Sequence, residues 1–192
     1  AMATALSCFY NKTRIGHVEA GLRTFNLNSP YPEEFNRQFI SNIANFHFAP
    51  TGEAKQNLLK ENILDENIYV VGNTVIDALK IAVEKAKKHQ FEKYITKKIP
   101  ILVEDKFNNK IVLITGHRRE NFGEGFENIC QAIKETAILN PEVNFIYPVH
   151  LNPQVLGPVN KILSSFKNVH LIKPLDYLSF VKLMEKSYII LT

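Results

Sequence analysis

The sequence predicts an α/β protein built on parallel sheets, and three of its features carry that prediction. From Ile111 onward, apolar runs of strand length alternate with amphipathic helical stretches, the pattern of βαβ units whose right-handed crossovers give a parallel sheet. Ile111 to Thr115 is a continuous β-favouring run ended by Gly116, as expected of a strand covered on both faces. Phe126, Ile129, Cys130, Ile133 and Ala137 then fall at i, i+3, i+4, i+7 and i+11, one face of a helix.

Taken in order, Ala1 to Phe9 reads as the body of a helix with no cap before it. Arg14 to Val18 reads as a short strand that ends in Glu19-Ala20-Gly21, and polar residues run from there to Pro30. Tyr31-Pro32-Glu33-Glu34 opens a helix, with Pro32 suited to the first helical position and Phe35, Phe39, Ile40 and Ile43 as its apolar face. Acidic residues in that first turn complement the helix dipole. Phe46 to Ala49 is a strand; Pro50-Thr51 starts a helix running to about Glu61 with Ala54, Leu58 and Leu59 inward; Ile68 to Val71 is the next strand.

Asn73-Thr74 with Asp77 resembles a capping box at the start of a helix that turns Val75, Leu79, Ala82, Val83 and Ala86 to one side. Beyond His89 charge density rises and periodicity fades until Ile111, which predicts an irregular peripheral segment or linker. After the Ile111 strand and the Phe126 helix come a strand at Val143 to Val149, a helix from Pro153 or Pro158, a strand at Val169 to Ile172, a helix from Asp176 and a strand at Tyr188.

Composition narrows the classes. With 192 residues and 45% hydrophobic content the chain can bury a sizeable core. The net charge of +4 is concentrated at Lys85, Lys87, Lys88, Lys97 and Lys98 without interleaved aromatics, which suits a solvated helix face better than a nucleic-acid surface. Cys8 and Cys130 show no metal-ligand or redox spacing, so buried free thiols in a reducing compartment are expected. No apolar run is long enough to cross a bilayer and the start lacks a signal-peptide pattern; a cytoplasmic protein with no membrane partner is the expectation. A helix body at one end and a strand at the other read as a fragment cut at both ends.

Two strand ends draw attention as sites. His117-Arg118-Arg119-Glu120-Asn121-Phe122-Gly123 lies between the Ile111 strand and the Phe126 helix, where ligands bind in open α/β sheets and where free helix N–H groups favour an anion. Two arginines and a histidine there suit phosphate, although the same residues also suit a solvated charged turn. Glu19 at the end of the Arg14 strand is placed for chemistry or for solvating a turn. His150 and Phe180, read locally, are best explained as a histidine satisfied in a turn and an aromatic packed on the sheet. No dinucleotide fingerprint, Walker loop or repeat is present in the sequence.

HVEAGLRT at His17 to Thr24, YPEE at Tyr31 to Glu34, GNTVID at Gly72 to Asp77, TGHRRENFG at Thr115 to Gly123 and YPVHLNP at Tyr147 to Pro153 closely resemble, in order and spacing, the non-hydrolysing bacterial UDP-N-acetylglucosamine 2-epimerases. The resemblance runs along essentially the whole chain. It implies a GT-B fold, two Rossmann-like domains facing each other across a nucleotide-sugar cleft. Residues 1–73 would be the C-terminal part of the first domain, 74–109 an interdomain helix and linker, and 110–192 the N-terminal part of the second, UDP-binding domain.

What the resemblance implies chemically is reversible epimerisation at C2 between UDP-N-acetylglucosamine and UDP-N-acetylmannosamine, supplying polysaccharides of the cell envelope. The route is anti elimination of UDP to a 2-acetamidoglucal and re-addition with protonation from the other face, which needs no nicotinamide and no metal. Glu19 and Glu33 match the family's active-site glutamates and are the candidates for proton transfer at C2. His117 matches the histidine beside the departing UDP. Phe180 and Leu175 match uracil-side contacts; the family commonly has glutamine where this chain has Leu175, leaving only a backbone contact there. Arg118 and His150 match positions that in some relatives contact a second, activating substrate molecule. A homodimer is implied for the full-length protein, and inactivity for the segment alone. The competing readings are a hydrolysing relative that releases N-acetylmannosamine, a GT-B glycosyltransferase that needs an acceptor, and a nucleotide-sugar-binding module without turnover.

Overall fold

The computed structural model describes residues 1–99, 110–116 and 123–192. The chain divides into two compact units, Ala1–Ala78 and Leu79–Thr192, and the division falls inside a helix.

The first unit is a parallel sheet of β1 (Gly16–Val18), β2 (Phe46–Ala49) and β3 (Ile68–Val70), in the order β1-β2-β3. Helix α1 (Met2–Tyr10) lies against α2 (Glu33–Ile43), α3 (Gly52–Lys60) covers β2 and β3, and α4 (Thr74–Ala86) leads out of the unit. The core is small: Ala20, Ala49, Ala54, Leu58 and Ile68, with Leu59 and Ile63 packed against it. Thr51 starts α3 by accepting the Ala54 N–H at 3.1 Å, so the Pro50-Thr51 start holds.

In three places the apolar pattern misjudged this unit. Pro32 is the residue before α2, not its first helical position. Phe35 is exposed, and the helix buries Glu34, Ile40 and Ser41 instead. Val75 is likewise exposed, and Asn73 begins α4 by accepting the Val75 N–H at 3.0 Å. At α2 the difference follows from the Phe25 N–H, which binds Glu34 and turns it inward.

The second unit is a parallel sheet ordered β6-β5-β4-β7, from β4 (Ile111–Ile114), β5 (Asn144–Pro148), β6 (Val169–Ile172) and β7 (Ile189–Leu191). Helices α6 (Glu124–Leu139) and α7 (Pro153–Leu163) pack together, and their cluster includes Phe126, Cys130, Ile133, Val155, Val159 and the strand residues Val112, Ile114, Phe145 and Tyr147. Ile111, Leu113 and Ile146 face a second cluster with α8 (Tyr177–Lys186) and α5 (His89–Lys98). Alternate residues of β4 therefore enter opposite cores, which is why its sequence is apolar throughout. Helix α7 starts at Pro153 and contains Pro158, deciding between the two starts the sequence allowed.

Of the segment between His89 and Ile111 expected to be irregular, the first part is helical, while residues 100–109 lie outside the described residues. That first part is helix α5, and Ile95 and Ile99 are almost completely buried, with Phe91 packed against the same cluster. Phe91, Ile95 and Ile99 stand at i, i+4 and i+8, an apolar stripe set among lysines. The cysteines also differ from each other: Cys130 is buried and Cys8 only half-buried.

Candidate functional site

Because both sheets are parallel, the carboxyl ends of the strands share one edge in each unit. In the second unit the edge has a switch point, since β5 and β7 pair on opposite sides of β4. In open α/β sheets such a reversal of strand order at the carboxyl edge is where ligands bind. The end of β4 is held from both sides. The Thr115 N–H donates to the Leu191 carbonyl at 2.8 Å, and the buried Tyr147 hydroxyl donates to the Gly116 carbonyl. His117 and Arg118, which follow directly, lie outside the described residues.

His150 is exposed beyond the end of β5, and its Nδ1 accepts the Asn152 N–H at 3.1 Å, next to the Asn152 cap of α7. Leu175 and Phe180 follow β6 and are half-buried, both packed against the second core cluster. Between them Asp176 caps α8. Its carboxylate accepts the Ser179 N–H at 3.1 Å, the Ser179 hydroxyl at 2.8 Å and the Lys98 ammonium at 2.7 Å. Burial would push this carboxyl up, but those bonds outweigh it and hold it at about 2. Lys98, 4.7 Å from the Tyr94 ring centroid, thereby anchors the turn carrying Leu175 to α5.

The first unit's edge is built around the segment from Glu19 to Phe25. Glu19 is exposed and has φ 64°, and Phe25 has φ 58°; a non-glycine residue in this left-handed region costs about 1 kcal/mol or more and needs surrounding structure to hold it. That structure is present. The Ala20 N–H donates to the Phe48 carbonyl at 3.1 Å, and Asn57 Nδ2 donates to the Gly21 carbonyl at 3.1 Å. Gly21 itself, at φ 86°, leaves no room for a side chain: a Cβ would stand 2.1 Å from the Ala54 carbonyl oxygen. Arg23, its side chain wholly buried, grips Glu61 and also donates to Ser41 Oγ at 2.8 Å and to the Leu22 carbonyl at 2.8 Å.

At the other end of the segment, the Phe25 N–H donates to Glu34 Oε1 at 3.1 Å. The sequence reading treated the acidic first turn of α2 as a response to the helix dipole; Glu34 is instead turned inward and fully buried, while Glu33 beside it is exposed. Gln38 Nε2 donates to the same Oε1 at 2.9 Å, and Arg37 Nη1 is 3.8 Å from Oε2. Burial would raise the Glu34 carboxyl, yet the bonds from Gln38, Thr24 and Phe25 and the nearby Arg23 charge hold it below the ordinary glutamate value.

His17 and His47 pair across β1 and β2, with ring centroids 6.5 Å apart. His47 is buried, with Nε2 3.0 Å from the Ser41 carbonyl; donation there leaves its Nδ1 as an acceptor. Burial, His47 and Arg23 push the His17 imidazole down to about 4. An edge results on which the exposed Glu19 follows, two residues on, a histidine held neutral, and begins a segment fastened by a buried polar network. Such a group is well placed to exchange a proton with a bound substrate.

Glu34, Arg23 and Tyr147 are the residues to which the sequence reading assigned no role. Arg23 and Glu61 are 38 positions apart, so no local spacing could have linked them. Among the described residues no group of three His, Cys, Asp or Glu could hold a metal ion, and no helix is long and apolar enough to cross a membrane.

A family profile described as UDP-N-acetylglucosamine 2-epimerase matches residues 1–192. The chain is 51% identical over 193 residues to a UDP-N-acetylglucosamine 2-epimerase of Campylobacter jejuni and 52% identical over 192 residues to one of Salmonella typhimurium, covering 100% of this chain and 50% of each relative. A crystal structure of UDP-GlcNAc 2-epimerase from Neisseria meningitidis bound to UDP-GlcNAc superposes with a TM-score of 0.92 at 50% identity, over 98% of this chain and 50% of that one. The Methanocaldococcus jannaschii UDP-GlcNAc 2-epimerase in complex with UDP-GlcNAc and UDP gives 0.75 at 30% identity over 98% of this chain. The chain thus spans about half the length of these relatives, and its parallel-sheet units are of the α/β, GT-B type.

Proposed function

Since this chain belongs to the UDP-N-acetylglucosamine 2-epimerase family, we propose that the whole protein interconverts UDP-N-acetylglucosamine and UDP-N-acetylmannosamine without hydrolysis. A base removes the C2 proton while the C1–O bond to UDP breaks on the opposite side, and the electron pair of the C–H bond becomes the C1–C2 double bond of 2-acetamidoglucal. UDP then adds back at C1 as a proton is delivered to the other face of C2. Glu19 and Glu33 are the groups assigned to these proton transfers. His117 is assigned to the departing diphosphate, where hydrogen bonding offsets developing charge. Leu175, through its backbone, and Phe180 are assigned to the uracil side, with Arg118 and His150 assigned to an effector molecule. Residues 1–73 belong in this reading to the first domain, 74–109 to the connection and 110–192 to the UDP-binding domain, in a full-length homodimer.

The observation that carries the reading is Glu19, exposed at the carboxyl end of β1 with φ 64° on a segment pinned at both ends. A carboxylate held in a costly backbone conformation is organised for use. In the full-length protein, Glu19→Gln is expected to leave UDP binding intact while slowing exchange of the C2 hydrogen with solvent deuterium by about a hundredfold or more. Wild-type exchange in the variant would remove Glu19 from the mechanism. Accumulation of free N-acetylmannosamine by the unmodified protein would favour the hydrolysing reading instead.

A further inference from the structure

We propose that Glu34 is a positioning residue: its buried carboxylate ties the Glu19 segment to the first turn of α2 and thereby sets Glu19 and Glu33 relative to each other. The inference deepens the reading above and rests on its assignment of those two carboxylates. A buried charge is retained only where bonds hold it, because an apolar side chain would fill the same place without the desolvation cost. Glu34 is fully buried; its Oε1 accepts the Phe25 N–H at 3.1 Å and Gln38 Nε2 at 2.9 Å, the Thr24 backbone adds a further bond, and Oε2 faces the Arg37 guanidinium, with Nη1 at 3.8 Å.

The segment between β1 and α2 has anchors at Ala20, Gly21, Arg23, Thr24 and Phe25. Those at Ala20 and Gly21 fasten it to β2 and α3. Arg23 reaches Ser41, far along α2. The Thr24 and Phe25 contacts, both made to Glu34, engage the turn of α2 that carries Glu33. Consecutive residues of a helix point about 100° apart, so turning Glu34 inward also directs Glu33 outward, as observed. Phe25, at φ 58°, presents its N–H to Glu34 from a conformation that the bond helps maintain.

The test compares Glu34→Ala, Glu34→Asp and Glu34→Gln in the full-length protein. Alanine removes the acceptor, and aspartate keeps the charge but falls one methylene short; glutamine keeps a carbonyl oxygen where Oε1 lies. Native-state amide exchange across residues 19–26 is expected to lose protection about tenfold or more in the alanine and aspartate variants. Turnover should fall about tenfold or more with KM within about threefold and UDP affinity unchanged. Glutamine is expected to restore both to within about threefold. Unchanged protection, or lost protection with unchanged turnover, would overturn the proposal. Should alanine prevent folding, aspartate and glutamine carry the same comparison. If the unmodified protein epimerises nothing, the functional reading fails, and the anchoring role is then decided by the exchange data alone.

Discussion

Arg23 and Glu61 meet in a two-pronged ion pair, Nε to Oε1 at 2.6 Å and Nη2 to Oε2 at 2.7 Å, with the arginine side chain entirely shielded from solvent. The pair fastens the segment carrying Glu19 to the end of α3. Both prongs need the planar guanidinium, so lysine cannot replace it. Arg23→Lys and Arg23→Ala are each expected to destabilise the protein by about 2 kcal/mol, below the scale for a fully buried pair because Glu61 keeps partial contact with solvent. Urea unfolding of the full-length variants measures this, and a loss under about 1 kcal/mol would show that the pair is dispensable.

Gly21→Ala should be among the most damaging small substitutions in the chain. At φ 86° the added Cβ would stand 2.1 Å from the Ala54 carbonyl oxygen, a backbone atom that cannot swing aside. A loss of about 3 kcal/mol or more is expected from strain and displaced packing together. Gly52→Ala is the control, because nothing lies within 4 Å of its added Cβ at the start of α3. Thermal midpoints should separate the two variants clearly.

Stability should depend on pH through His17. Burial, His47 and Arg23 hold its imidazole at about 4, against 6.5 for the free side chain. Between those values the unfolded chain binds a proton that the folded protein does not, so stability is full above about pH 6.5 and declines as pH falls toward 4. Partial exposure of the ring limits the effect to about 2 kcal/mol. Denaturant midpoints measured from pH 7 to pH 4 should show the decline, and His17→Gln should flatten it; an equal slope in both proteins would exclude His17 as its source.

Much of this protein was decided by its sequence acting locally. The apolar run at Ile111 to Ile114 and the face of Phe126, Cys130, Ile133 and Ala137 became β4 and the buried stripe of α6, because burial follows periodicity directly. Thr51 and Asp176 cap the helices they precede, since a cap acts within its own turn. The resemblance drawn from five motifs was likewise legible and is matched by a family profile over residues 1–192.

Tertiary structure alone decided which polar residues are buried and what they hold. Glu33 and Glu34 are adjacent and chemically alike, yet one is exposed and the other fully buried; helix rotation and the Phe25 N–H make that distinction. The stripe of Phe91, Ile95 and Ile99 became a buried helix face through the partners supplied by β4 and α8. Tyr147 lies 31 positions from Gly116, and Arg23 lies 38 from Glu61. Hydrogen bonds and ion pairs act over a few ångströms whatever the separation along the chain, so these partners exist only once folding has brought them together.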